Sequence, residues 1–145
     1  MVVNLLKLSV GVESVEHLQQ IQDGRRAAAR ERSEPPVARH LTRSTPRRAE
    51  EVLAGGSIYW VIRGVIQARQ RVIGLESATS PEGLPRCVIV LGEPLVRTVP
   101  RHCRPFQGWR YLRPEDAPPD LGSGEVIAET MPPEMLAELK ELGLI

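Results

Sequence analysis

Aromatic and guanidinium side chains alternate in one segment in the last third of the chain. The stretch RPFQGWRY contains Phe106, Gln107, Trp109 and Arg110, in a chain that has only one Phe, two Tyr and two Trp. Aromatic rings stack on unpaired bases, and guanidinium groups form paired hydrogen bonds with phosphate. The segment therefore predicts contact with a nucleic acid, in which Trp109 stacks on a base and Gln107 reads base edges. In the alternative interpretation, Trp109 and Tyr111 form a small core under a long loop.

A second set of polar side chains follows the segment QARQR at every other position. Gln67, Arg69 and Arg71 share one face if this segment is a strand, because strand side chains alternate between faces. A solvated sheet face is the alternative. The predicted nucleic-acid-binding set combines both segments with two further arginines: Arg47, Arg63, Gln67, Arg69, Arg71, Gln107, Trp109 and Arg110.

Charge is distributed unevenly along the chain. Residues 1–113 contain 18 Lys or Arg and 10 Asp or Glu, whereas residues 114–145 contain one Lys and eight acids. A basic body attracts RNA or another polyanion, and an acidic segment either masks that body or contacts another surface. Two simpler explanations stay open. The two parts fold against each other, or a GC-rich genome has enriched Arg (17) over Lys (2).

Other kinds of chemistry find little support. The chain has neither a glycine-rich phosphate loop nor a GxSxG nucleophile motif. Cys87 and Cys103 form no CxxC pair and are expected to be reduced thiols that bind no metal, and no cofactor is indicated. An enzyme acting on a small anionic substrate, such as a modified nucleoside, is the second hypothesis. Lys7 or Glu76 would then serve as the acid or base.

The pattern of apolar residues predicts an α+β domain. Near-continuous apolar runs predict strands at 2–10, 86–91 and 95–99, and the segment 57–76 predicts a β-hairpin that turns at Arg63-Gly64. Ser14 is the expected N-cap of a first helix. The following segment, 23–36, is expected to be a solvated arm or a frayed helix end, and Thr45 to cap a short central helix that begins at Pro46.

The acidic C-terminal segment predicts a linker and an amphipathic helix. We expect one domain over residues 1–122, and a segment 123–145 that packs on it. A third hypothesis is a protein-interaction module whose C-terminal helix presents Met135, Leu139 and Leu142 to a partner. The apolar N-terminal run is too short for a signal peptide or a membrane span, so we expect a soluble cytoplasmic protein, a monomer or weak homodimer.

Several long blocks of this sequence resemble a known family. The strings HLTRSTPRR, GGSIYWVIRGVIQARQRVIGLE, RCVIVL and RPFQGWRYLRPEDAPPDL resemble an uncharacterised bacterial domain-of-unknown-function family, over roughly residues 2–122. That resemblance implies no activity.

A weaker resemblance concerns the order of the elements. An Arg-rich helix, the GGSIYWVIRG strand and a returning IQARQRVIGLE strand are similar to the PUA-like superfamily, including the ASCH group. This resemblance implies a small mixed, mostly antiparallel sheet that curls toward a barrel and binds RNA or modified bases. N-terminal, central and C-terminal helices would flank the sheet. The chain lacks the GxKxxExR-type motif of the ASCH group, and Ser57 stands where that group has Asp.

Overall fold

Residues 2–121 are described by the structure, a computed structural model of the chain. Within that range the sequence predicts five strands, and β2 and β7 are additional. In chain order the elements are β1 (Asn4–Leu8), α1 (Val15–Glu31), β2 (Ala38–Thr42), α2 (Ala49–Leu53), β3 (Ser57–Ile62), β4 (Val65–Thr79), β5 (Pro85–Leu91), β6 (Val96–His102), β7 (Trp109–Leu112) and a 3₁₀ turn (Pro114–Asp116).

The predicted hairpin is confirmed as the pair β3 and β4. Ile62 lies opposite Val65, and the two residues between them have positive φ angles, 53° at Arg63 and 78° at Gly64. Two successive residues with positive φ form the type I′ turn, whose twist matches that of the strands it joins. Glycine adopts this conformation without strain, which explains why the turn falls at this dipeptide.

The strands form one mixed sheet in the order β2-β5-β4-β3-β1-β7, with β6 against β4. β1 and β3 run parallel, and the other pairings among the described residues are antiparallel. The long strand β4 pairs with β6 near its start and with β5 along its second half. β2 and β7 end the order and do not pair with each other within residues 2–121. The sheet is therefore not closed, and the predicted curl into a barrel is not confirmed.

Hydrophobic side chains pack on both faces of this sheet. The larger cluster includes Leu5, Ile58 and Trp60 and the inner side of α1, while Leu6 and Tyr59 belong to a smaller cluster on the opposite face. This separation follows from the strand alternation along the paired strands β1 and β3. Two open grooves lie near the two ends of β1.

Helix α1 is longer than the sequence predicts. Ser14 caps it as expected, since its Oγ accepts a hydrogen bond from the His17 N–H at 3.0 Å. The prediction of a solvated arm or frayed end after Gln22 is wrong, because α1 continues to Glu31 and places Arg26 in the interior, with only 2% of its surface exposed. Arginine is almost never fully buried unless it is paired, so the composition of this segment favours a solvated arm.

A buried amide pair joins this extended helix to the sheet. The side chains of Gln22 and Gln70 exchange hydrogen bonds of 2.8 and 2.7 Å, and Gln70 Oε1 also accepts from Trp60 Nε1 at 3.3 Å. Buried polar groups that satisfy one another in this way fix a single packing arrangement. The pair explains why a helix with few large apolar residues still docks on the sheet.

The central helix α2 is shorter than predicted. It begins at Ala49 after Arg48, so Thr45 is not its cap. The two glycines after it do mark its end. Gly56 is required by close approach, because a Cβ there would lie 2.3 Å from the Val3 carbonyl oxygen.

The predicted C-terminal helix lies outside the described residues, as do the linker and the side chains of Met135, Leu139 and Leu142. The division into a domain over 1–122 and a packed C-terminal segment therefore stays a prediction.

Candidate nucleic-acid interface

A groove rich in cationic side chains lies where β1 and β2 end. It encloses about 530 Å³, a volume typical of ligand clefts. Lys7, Arg43 and Arg86 share it with the ring of Phe106 and the amide of Gln107, and none of its lining residues in the described part of the chain is acidic. We call it the cationic groove. Its lining residues are Lys7, Leu8, Val10, Leu41, Thr42, Arg43, Ser44, Arg86, Phe106, Gln107 and Gly108.

Strand pairing brings two of these cations to the same end of the sheet. Thr42, the last residue of β2, lies opposite Cys87 of β5. Arg43 and Arg86 are the neighbours of these two residues along the chain, so the pairing places them side by side. Thr42 Oγ1 also donates to the Ser44 carbonyl at 3.1 Å, which turns the chain after β2.

Two aromatic residues of β7 hold the loop after β2 in place. Trp109 Nε1 donates to the Ser44 carbonyl at 3.0 Å, and the Tyr111 hydroxyl accepts from the Arg48 backbone N–H at 3.1 Å. The rings of Trp109 and Tyr111 pack edge to face, with centroids 5.0 Å apart. Trp109 is therefore engaged with the wall behind the cationic groove.

Phe106 and Arg110 are in contact with each other next to the groove. The Arg110 guanidinium carbon lies 4.7 Å from the Phe106 ring centroid, a cation–π distance. Phe106 is half-buried against the smaller hydrophobic cluster, whereas Arg110 is exposed. The pair presents a flat guanidinium surface beside the groove, and such planes stack on unpaired bases.

Burial affects two titratable groups in or next to this groove, Lys7 and His40. Burial, followed by the charges of Lys7 and Arg25, lowers the pKa of His40 from 6.5 to about 4. Burial also lowers the pKa of Lys7. His40 packs edge-on against Trp60, with ring centroids 5.1 Å apart. At neutral pH His40 is therefore uncharged, in surroundings where cations prevail.

A second groove opens near the start of β1 and encloses about 580 Å³. Arg69 donates two hydrogen bonds to the Asp120 carboxylate, from Nε to Oδ1 at 2.5 Å and from Nη2 to Oδ2 at 2.7 Å, and Nη1 donates to Ser57 Oγ at 3.2 Å. These bonds lower the pKa of Asp120 and raise that of Arg69. We call it the Asp120 groove, and it is lined by Val2, Asn4, Gly55, Ser57, Tyr59, Arg69, Arg71, Pro114, Ala117, Pro118, Pro119 and Asp120.

The residues predicted from the sequence do not gather on one face. Gln107 lines the cationic groove with Arg110 beside it and Trp109 behind it, whereas Arg69 and Arg71 line the Asp120 groove. The other three members of the set lie elsewhere. Arg63 is exposed at the tip of the hairpin, Arg47 is exposed in the loop before α2, and Gln67 is buried.

A β-bulge explains the position of Gln67. The pairing of β4 with β6 shifts between Ile66 and Ala68, which removes Gln67 from the alternation that Arg69 and Arg71 follow. Its Nε2 donates to the Ile62 carbonyl at 2.8 Å, next to the hairpin turn. Gln67 thus stabilises the hairpin from within. Bulges insert one residue without a sequence marker as clear as a turn glycine.

Sequence reasoning missed the cations that form the cationic groove. Arg43 belongs to an Arg-rich stretch of many equivalent arginines, whereas Arg86 is a single arginine at the start of an apolar run, so nothing local marks either as part of a site. Their proximity depends on the pairing of β2 with β5, and the sequence pattern predicts no strand at β2. The structure offers a signal that the sequence does not. Leu41 and Val10 are 59% and 86% exposed, and exposed apolar residues beside cations mark a binding surface.

The groups suggested for acid or base catalysis lie apart. Lys7 lines the cationic groove, whereas Glu76 is bound to Arg39, with Oε1 and Nε 3.3 Å apart, and lines neither groove. Burial raises the pKa of the Cys103 thiol, which disfavours the thiolate that a nucleophile needs. Lys7 and Glu76 therefore do not form an acid–base pair.

Residues 2–121 contain neither a cluster of metal ligands nor a helix that could span a membrane. No three His, Cys, Asp or Glu side chains of this range come together as a metal site would require. Nor does any helix in it have the length and apolar character to cross a membrane. Cys87 and Cys103 are both free thiols.

Comparison with known proteins gives a family. A family model described as "Protein of unknown function (DUF1489)" matches residues 5–145. Neither a curated protein nor a solved structure matches the chain, so the similarity to the PUA-like superfamily stays a prediction. The match covers nearly the whole chain and agrees with the resemblance of the sequence blocks. The chain therefore belongs to this family, Protein of unknown function (DUF1489).

Proposed function

We propose that this protein binds single-stranded nucleic acid, RNA above all, in the cationic groove. The observation that carries the proposal is the composition of the groove. Lys7, Arg43 and Arg86 line it without an acidic neighbour among residues 2–121. Phosphate groups supply the missing negative charge, and their contacts with Lys and Arg dominate nucleic-acid affinity.

The apolar part of the groove favours an unpaired strand over a duplex. Val10 and Leu41 are exposed, at 86% and 59%, next to the half-buried ring of Phe106. In a duplex the base faces are stacked on one another, whereas unpaired bases offer flat apolar faces to such side chains. Gln107 adds an amide that can both donate to and accept from a base edge. The groove thus combines charge, apolar contact and edge recognition.

The original binding set changes under this proposal. Gln107 and Arg110 keep direct roles, and Trp109 supports the loop of Ser44 instead of stacking on a base. Arg69 acquires a partner in Asp120 and is not assigned to the nucleic acid. Lys7, Arg43 and Arg86 take the phosphate-binding role.

Fluorescence anisotropy with labelled single-stranded RNA tests the proposal. Titrations of the intact protein, Arg43→Ala and Arg86→Ala would run over a salt series from about 50 to 200 mM. Each substitution should weaken binding and lower its salt dependence. Arg30→Ala is the matched control, because Arg30 is an exposed arginine in the last turn of α1 outside the groove. A duplex of the same sequence should bind more weakly.

Two results would contradict the proposal. Absence of RNA binding at low salt would exclude it outright. Equal losses in Arg43→Ala, Arg86→Ala and Arg30→Ala would show that net charge, not this groove, attracts RNA.

A further inference from the structure

The Asp120 groove contains more positive than negative charge. Two guanidinium groups, those of Arg69 and Arg71, line it, and Asp120 is the one acidic residue among its lining residues in the described part of the chain. Arg69 is bound to Asp120, whereas Arg71 is exposed and makes no ion pair with any residue in 2–121. Within residues 2–121, one positive charge is therefore left over beside a cleft of about 580 Å³.

The contact between Arg69 and Asp120 has the geometry of an anion site. Two nitrogens of one guanidinium face two oxygens of one carboxylate, at 2.5 and 2.7 Å, and a third nitrogen bonds Ser57 Oγ. A phosphate group offers the same pair of oxygens to the same fork, with a third oxygen free for a second cation. Arg71 lines the groove as that second cation.

The backbone on either side of Asp120 is attached to the sheet independently of the Asp120 side chain. The Val99 N–H donates to the Pro119 carbonyl and the Leu121 N–H to the Arg97 carbonyl, both at 2.8 Å, and Thr98 lies opposite Asp120 in the same ladder. The Asp120 side chain itself is 50% exposed. Rotation of this side chain toward solvent therefore releases Arg69 without breaking the ladder.

We propose that the Asp120 groove is a second binding site, for a dianionic phosphate group held between Arg69 and Arg71, and that the Asp120 carboxylate occupies this place in its absence. A dianion matches two guanidinium charges, whereas one carboxylate matches only one. The site lies near the start of β1 and the cationic groove near its end, so this proposal does not depend on nucleic-acid binding there.

Calorimetric titration of the full chain with inorganic phosphate tests the site, with sodium chloride keeping the ionic strength constant. Asp120→Asn removes the competing charge and keeps the side-chain shape, so it should bind phosphate at least tenfold more tightly than the unmodified protein. Adding Arg71→Gln to Asp120→Asn should reverse this gain. Glu34→Gln is the control, because Glu34 is an equally exposed partner of an arginine, Arg32, outside the groove.

Each outcome decides the question. No gain in Asp120→Asn would overturn the view that Asp120 occupies the site, and a gain that survives Arg71→Gln would place the phosphate elsewhere. Dimethyl phosphate, a monoanion like the nucleic-acid backbone, should gain much less than inorganic phosphate. An equal gain would overturn the dianion assignment. Because Arg71 is exposed, Arg71→Gln alone serves as a second, fold-preserving variant and should weaken whatever phosphate binding the unmodified protein has.

Discussion

The two grooves near the ends of β1 have similar volumes, about 530 and 580 Å³, and opposite electrostatic organisation. In the cationic groove three cations lie together with no acidic lining residue within 2–121. In the Asp120 groove a carboxylate from the same chain neutralises Arg69. The difference teaches that the number of arginines does not define a polyanion site in an Arg-rich protein. The position of the counter-charge defines such a site, because a guanidinium group paired with a carboxylate already makes its strongest hydrogen bonds within the protein.

The sharpest test of this comparison removes two arginines from one groove at a time. The double variant Arg43→Ala/Arg86→Ala should lose about 2 to 3 kcal/mol of RNA binding, roughly 30- to 150-fold, through lost charge-assisted contacts. The slope of log K against log salt should fall by about 1.4, since each phosphate contact on a single strand contributes about 0.7. Anisotropy titrations measure both quantities.

The matching double variant in the Asp120 groove is Arg69→Gln/Arg71→Gln. It removes the same formal charge, yet RNA affinity should change less than threefold, because Arg69 is already neutralised by Asp120 and Arg71 lies outside the cationic groove. Equal losses in the two double variants would contradict the distinction between the grooves.

The burial of His40 also predicts how the fold responds to acid. Burial, followed by the charges of Lys7 and Arg25, lowers the pKa of His40 from its usual 6.5 to about 4 in the folded protein. As pH falls from 6.5, the unfolded chain takes up a proton that the folded protein does not bind until about pH 4, so stability is lost across this window. The loss should be on the order of 3 kcal/mol. Urea unfolding of His40→Gln should show a flatter pH profile than the unmodified protein, and parallel profiles would exclude His40 as the cause.

The Asp120 groove should respond at lower pH and with a smaller effect. Hydrogen bonds from Arg69 lower the pKa of Asp120 below 3.8, the ordinary value for an aspartate side chain. The stabilisation from this ion pair is therefore fully present above that value and is lost as pH falls through the lowered pKa. Since Asp120 is half exposed, Asp120→Asn should cost only about 1 kcal/mol at neutral pH.

A comparison of the two proteins isolates this contribution. The stability difference between Asp120→Asn and the unmodified protein should shrink between about pH 6 and about pH 3, while the contribution of His40 is common to both and cancels. A difference that stays constant over this range would mean that the carboxylate charge does not stabilise the fold.

Local signals in the sequence predict the parts of the fold that local contacts determine. The turn at Arg63-Gly64 and the cap at Ser14 each depend on one or two residues, and both are confirmed. The pair of Arg69 and Asp120 spans 51 residues along the chain, and no spacing rule connects them. For the same reason the burial of Arg26 was missed, because its acidic neighbour Glu93 comes from the segment after β5.

The candidate site was predicted only in its residue types. Aromatic residues and arginines interleave around Gln107 in the sequence, but the contribution of Arg43 and Arg86 to the groove depends on a strand that the sequence does not predict. A strand such as β2, five residues long and containing Arg39 and His40, carries too little hydrophobic alternation to be recognised.

Trp109 provides the smallest and most discriminating test of how the cationic groove is built. Trp109→Phe keeps an aromatic ring against Tyr111 but removes the Nε1–H that donates to the Ser44 carbonyl. If Trp109 positions the loop, this variant should lose about 1 kcal/mol of stability and about two- to threefold in RNA affinity, because Arg43 is no longer held beside Arg86.

If Trp109 instead stacks on a base, phenylalanine should largely replace it and binding should hardly change. Chemical denaturation and anisotropy on the same preparations distinguish these results. In Arg43→Ala the further effect of Trp109→Phe on RNA binding should disappear, since the side chain that the loop positions is already gone.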